Sequence, residues 1–457
     1  MAELLVAVLD LLLREIGLFA AVGFLILGLN DFLLDWLWIG RTVGRRLTVY
    51  RRHRRSTALD LPEPRAPGRL AVFVPAWDEA EVIGRMVAHA LDCWTGADLR
   101  LYAGCYPNDP ATIRALQTIS DPRLRIVVGP LPGPTTKADC LNRMWDALRA
   151  DEETDGLRFK AVVLHDAEDV VHSAEPRIFD CLIERFDLVQ LPVLPLVDGR
   201  SRWISGSYID EFAEAHGKEL VVREWLGAGL PSAGVGCAIS RRAMDWLARA
   251  HGEPFDAGSL TEDYELGLRL HRMGGRGAFV RLPSGPGRSA VATREYFPST
   301  IAAAVSQKAR WMRGIALSGW DRLGWSGGIA ERWMRMRDRA AVIAALVLTA
   351  GYLALLLWFV RTLFGWAGFP PPAVAPALRT LLLVNVALLA WRLAMRFGFV
   401  TQAYGWREGL RAVPRVAVSN IIAMMAARRA LMLYGGGRKA ARWDKTRHAF
   451  PAELPAE

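Results

Sequence analysis

"VVLHDAEDVVH", residues 162 to 172, begins as an apolar strand and then crowds three carboxylates, Asp166, Glu168 and Asp169, between two histidines, His165 and His172. Side chains alternate faces along a strand, so His165 is expected behind it, opposite Asp166. Asp166 and Glu168, two residues apart where the strand gives way to a loop, are expected to point into one crevice. Outward from this stretch, apolar strand-like runs alternate with helical patterns. "RLAVFVPAW" leads to a helix from about Ala80, "LRLYAGCYP" to a second helix, and "LRIVVGP" to the helix "KADCLNRMWDALRA". "KAVVLHDAED", a further helix and "LVQLPVL" follow. That alternation predicts an α/β fold, a mostly parallel sheet with helices on both faces. Ligands of such sheets bind beyond the carboxyl ends of the strands, which is where the polar clusters fall.

At 457 residues the chain is too long for one ordinary core. It is 52% hydrophobic with 17 tryptophans, and the apolar surplus lies at the two ends. This predicts a membrane protein. Residues 16–40 are long enough to cross a bilayer and are followed by arginines, as are 340–360 and 377–395, while Arg415, Arg428 and Arg429 in 413–434 suit a helix lying in the interface. The acidic residues before the first segment exclude a secretory leader and predict an uncleaved anchor with its N-terminus outside. Asn30, Asp31 and Asp35 are expected at its cytoplasmic end or against another helix.

The predicted organisation is an anchor at 1–40, a basic linker at 41–66, a GT-A-like sheet domain at 67–295 and amphipathic helices at 296–338. Two membrane helices at 339–397 and a basic tail at 398–457 complete it. The net charge of +10 gathers in blocks such as 41–55 and 435–448 beside apolar segments. That placement points to a cytoplasmic membrane face and away from nucleic acid. Five widely spaced cysteines without a CxxC pair read as reduced thiols.

Oxygen donors at 166 and 168, with Asp169 as an alternative, suit Mg²⁺ or Mn²⁺ shared with a substrate diphosphate. Zinc and a plain solvated acidic turn are the competing readings. A second acidic site, "SLTEDYELGLRL" (259–270), places Glu262 and Asp263 at the start of a helix with Thr261 as its cap, and simple capping would also explain them. "QKARW" (307–311) puts Gln307, Arg310 and Trp311 on one helical face. There an arginine can grip phosphate and a tryptophan can stack on a sugar, although an interfacial helix would also carry both.

The order "PAWDE" (75–79), "TTKADCLN" with Lys137 and Asn142, "DAED", "GVGCAISRRA" (234–243), "TED" (261–263) and "QKARW" resembles the family 2 membrane glycosyltransferases of the cellulose- and hyaluronan-synthase type. More narrowly, "VPAWDEAEVIG", "YPNDPAT" and "HDAEDVVH" look like the phage adsorption protein B group of bacterial inner-membrane glycosyltransferases. The resemblance, over roughly 15–440, implies a cytoplasm-facing inverting enzyme. Asp166 and Glu168 or Asp169 would hold a metal on a nucleotide sugar, and Asp263 would be the general base. Glu79, Asp109, Lys137, Asn142, Glu262, Gln307, Arg310 and Trp311 would bind donor or acceptor. The acceptor would be a glycan or lipid-linked glycan, with an export or receptor partner in the outer membrane, or a homodimer. Two departures stand out: "CYPNDPAT" replaces the usual "DDGS"-like run, displacing Asp109, and Glu168 stands where Asp is usual in the metal motif.

Overall fold

Six consecutive buried residues, Leu70–Pro75, form β1 in the interior of a seven-stranded sheet. The structure, a computed structural model, describes residues 2–436 and 448–454. The other strands are β2 (Leu99–Cys105), β3 (Leu124–Val128), β4 (Ala161–Leu164), β5 (Leu188–Gln190), β6 (Cys237–Ser240) and β7 (Gly277–Phe279), in the order β3-β2-β1-β4-β6-β5-β7. β1 runs parallel to β2 and β4, β2 to β3, and β5 to β7, while β6 is antiparallel to both neighbours. The expected mostly parallel sheet is therefore present.

Alternation along β1 explains the layers on both faces. Val72 and Val74 join one core with Ile83, Met86 and Val87 of helix Ile83–Cys93. Ala71 and Phe73 join the opposite core with Leu141, Met144 and Leu148 of helix Lys137–Asp155 and Met244 of helix Arg241–His251. The five cysteines are free thiols, and all but Cys93 are buried.

Among the described residues, three helices are long and apolar enough to cross a bilayer: Ala341–Trp366, Pro376–Tyr404 and Trp406–Gly435. The third covers the segment whose arginines led to the expectation of an interfacial helix. Arg415 is fully buried and does not reach toward a surface. Its guanidinium donates to Asp210 at 2.7 and 3.0 Å and to Glu408 at 2.8 Å. This pair joins the helix to Ile204–Glu214, whose Gly206 leaves room for the guanidinium. Replacing Arg415 by Ala would leave Asp210 buried without its paired cation, while Glu408 keeps Arg411. We expect a loss of about 3–5 kcal/mol, read as a lower melting temperature of the detergent-solubilised chain.

The stretch expected as a first anchor is the middle of one helix, Ala2–Leu47, which is not among those three but lies along two of them. Gly23 meets Val347 and Gly351 meets Phe24, small residues that let the backbones approach. The polar residues of that helix find partners. Asp31 pairs with Arg337 at 3.0 Å and with Arg392. Asp35 takes Lys218 at 2.6 Å and the Trp391 indole at 2.9 Å. Lys218 and Arg396 share Glu214, at 3.2 and 2.5 Å, so the sheet domain is joined to these helices through charge pairs.

Candidate active site

β2, β1 and β4 are adjacent and parallel, so the turns after Cys105, Pro75 and Leu164 emerge side by side. β6 enters antiparallel, with Cys237 opposite Leu164, which sets Gly234–Gly236 against the acidic turn. Four sequence-distant segments are thereby gathered at one edge of the sheet.

His165 lies behind the strand, as alternation requires, fully buried between Asp169 (Nδ1 to Oδ2, 2.7 Å) and Glu175 (Nε2 to Oε2, 3.0 Å). These two carboxylates raise the imidazole pKa to about 10 against the cost of burial. The Asp169 carboxylate also accepts the Asp166 backbone N–H at 3.0 Å. Asp169 thus faces inward, whereas Asp166 faces the crevice and meets Lys137 at 2.5 Å. Lys137 opens helix Lys137–Asp155, capped by Thr136, and Asp166, Glu262 and Asp263 together hold its ammonium charged despite burial.

Glu168 is buried against His448, and one ligand atom each from Glu79, Glu168 and His448 lie within 4.8 Å of one another. Two carboxylates and an imidazole so close, with Asp166 beside them, are a donor set that fits a divalent cation.

Helix Glu262–Arg272 begins at Thr261, as expected, but the Thr261 hydroxyl makes no capping bond. It is buried against Gly314, where a Cβ would collide with it. Asp263 Oδ1 accepts the Tyr264 N–H at 2.7 Å. Gly234, at φ +77°, runs directly under the Asp263 carboxylate, so any side chain there would displace it.

Burial and then Asp263 push the neighbouring Glu262 carboxyl up to about 7, with Lys137 and Arg310 opposing. An acid whose folded pKa lies above its unfolded value of 4.5 contributes stability that is complete below that value and lost as pH rises through about 7. Melting temperatures are therefore expected to fall between about pH 5 and pH 8, and Glu262→Gln to flatten that fall.

Gln307, Arg310 and Trp311 stand in the last turns of helix Ile301–Trp311. Trp311 packs edge-on against Tyr208 at 6.0 Å, within a cluster that includes Phe297 and Ile422. Gln307 Oε1 is buried without a hydrogen-bond partner, and Arg310 has no ion pair among the described residues. Arg310 lies near Glu262 and Tyr208, whose ionisation its charge influences.

Two expected ligand-binding residues are occupied by the protein itself. Asp109 caps helix Pro110–Gln117 through the Thr112 N–H at 3.2 Å and accepts the Asp78 N–H at 2.6 Å, holding Asp78 at φ +54°. Asn142 is buried and bonded to Phe255 N–H, Phe255 C=O and Glu253.

Two residues at the site escaped the sequence reading. Glu295 arrives because residue 294 bridges to Val170, and its carboxyl is raised well above the usual range by burial beside Asp169, Glu168 and Asp166. His448 arrives from the tail. Neither carries a local signal, since each depends on pairing across more than a hundred residues.

The fold is that of a GT-A-like transferase. It aligns with the mannosyltransferase PcManGT from Pyrobaculum calidifontis, solved with GDP-Man and Mn²⁺, at a TM-score of 0.51 and 14% identity, over 93% of this chain and 99% of that one. Residues 67–314 match the model of Glycosyltransferase like family 2, and the chain belongs to that family. It is also 38% identical over 469 residues to bacteriophage adsorption protein B of Escherichia coli K12, and equally to bacteriophage N4 adsorption protein B of Escherichia coli O157:H7. These alignments cover 96% of this chain and 62% of the length of those relatives.

Proposed function

We propose that this family 2 glycosyltransferase is an inverting, metal-dependent enzyme at the cytoplasmic face of a bacterial inner membrane. It would transfer sugar from a nucleotide diphosphate to a growing surface or exported glycan. The reading is supported by the meeting of the Glu79, Glu168 and His448 cluster, the Asp166–Lys137 pair and the Asp263 carboxylate at a helix start, with Arg310, which makes no ion pair among the described residues, near Glu262. Asp166, Glu168 and Glu79 would hold Mg²⁺ or Mn²⁺, which when bound supplies positive charge to the departing diphosphate. Lys137 and Arg310 add fixed cations that need no reorganisation during reaction.

Asp263 takes the acceptor hydroxyl proton as the new C–O bond forms and the bond to the diphosphate oxygen breaks on the opposite side of the anomeric carbon. Gly234 keeps the space for that carboxylate. Gln307, whose oxygen has no hydrogen-bond partner among the described residues, and Trp311 position the acceptor end. A helix carrying both favours repeated addition over a single transfer to polyprenyl phosphate.

Purified chain in detergent, screened against nucleotide sugars, is expected to release nucleoside diphosphate with Mn²⁺ or Mg²⁺ and to stop with EDTA. Asp166→Ala is expected to keep less than about a hundredth of the rate. Absence of transfer and hydrolysis with every nucleotide sugar and both ions would overturn the proposal. The names of the two Escherichia coli relatives favour a second reading, a catalytically silent scaffold for phage adsorption assembled with an outer-membrane partner or as a homodimer.

A further inference from the structure

The last described segment, 448–454, returns to the sheet domain after the membrane helices. Phe450 enters the core beside helix Ile83–Cys93, nine-tenths buried, with the Arg85 guanidinium 5.1 Å above its ring and the His89 ring 6.1 Å away. Arg85 also donates to the Phe450 carbonyl at 3.2 Å and to the Pro451 carbonyl. Two residues earlier, the His448 imidazole sits on Glu168, within reach of Glu79. One short stretch therefore carries a hydrophobic anchor outside the acidic crevice and a nitrogen ligand inside it. Its preceding helix, Trp406–Gly435, packs Ala426 and Ala430 on Ala309 of the QKARW helix.

We propose that residues 448–451 form a strap that delivers the His448 imidazole to the divalent ion, and that strap docking and ion binding are thermodynamically linked. The proposal rests on the reading of Glu79 and Glu168 as cation ligands. Linkage is reciprocal: an ion that gains a ligand from the docked strap holds the strap down by the same free energy. An imidazole among carboxylates also shifts preference from Mg²⁺ toward Mn²⁺, because nitrogen donors suit the later metals better.

The test is Mn²⁺ titration of the full chain in detergent, followed by electron paramagnetic resonance without any sugar nucleotide. The wild type is compared with Glu168→Ala, His448→Ala, Phe450→Ala and Arg85→Ala. Wild-type Mn²⁺ is expected to show ¹⁴N modulation from a directly bound imidazole, and His448→Ala to lose it. His448→Ala and the remote anchor variants are each expected to weaken Mn²⁺ by about ten-fold, and His448→Ala to weaken Mg²⁺ less. Arg85→Ala keeps the test decisive if Phe450→Ala fails to fold.

Unchanged Mn²⁺ affinity in His448→Ala alongside loss in Glu168→Ala would overturn the strap while leaving the cation site standing. Tighter binding in His448→Ala would also overturn it, marking the tail as a plug. Weakening confined to His448→Ala, with both anchor variants unaffected, would overturn the linkage. Absence of Mn²⁺ binding by the wild type would overturn the cation site and the strap together.

Discussion

Asp263→Asn is expected to lower turnover by about 10² to 10⁴-fold with little change in donor affinity. The substitution keeps shape and removes only the ability to accept a proton. Asp263 lies in the first turn of helix Glu262–Arg272. An amide still fits over Gly234, so the helix start should remain intact and the melting temperature should stay near that of the wild type. Product formation by the purified variant, measured together with nucleotide-sugar binding, checks both halves. Full retention of glycan synthesis would remove Asp263 from the base role and favour the scaffold reading.

Arg310→Ala is expected to cost about 10² to 10³-fold in rate, the range seen when one preorganised charge-stabilising donor is lost. Several buried guanidinium groups in the sheet domain are committed to carboxylates, as Arg241 is to Glu152 at 2.7 Å and Arg269 to Glu265 at 2.8 Å. Arg310 makes no such pair among the described residues, so its charge is available to an anionic ligand. Arg310→Lys should recover only part of the loss, because an ammonium keeps the charge and not the planar fork. Steady-state kinetics should show the loss chiefly in turnover, and a change confined to KM would contradict the assignment.

The α/β fold was legible because the strands are continuous apolar runs, and in β1 every residue is buried. The inward turn of His165 followed from alternation alone. What could not be read was occupancy. Asp109 and Asn142 are polar residues at strand ends and helix starts, as ligand-binding residues would be, yet each is engaged by backbone groups that only the folded chain brings near. Arg415 looked like a surface cation for the same reason: Asp210 reaches it from another helix, Ile204–Glu214, joining Glu408 of its own helix. The acidic turn presented Asp166 and Glu168 as the metal ligands, with Asp169 as an alternative for the second. The structure separates them by direction, sending Asp169 toward His165, Asp166 toward Lys137 and Glu168 toward His448.

The charge pairs and small cores that join the sheet domain to the apolar helices bear on how the protein can be divided. Tyr208, Phe297 and Val305 share one core with Ile422, and Ile209 shares another with Phe399 and Ala412. A soluble fragment ending near residue 295 would expose those faces and strand Asp210 without Arg415. Neither the transferase domain nor the helical part is a detachable module. Any shift of Trp406–Gly435 would therefore be felt at Tyr208 and Trp311, and on the proposed reading of Trp311 as an acceptor-binding residue the lipid environment becomes a direct variable of the chemistry.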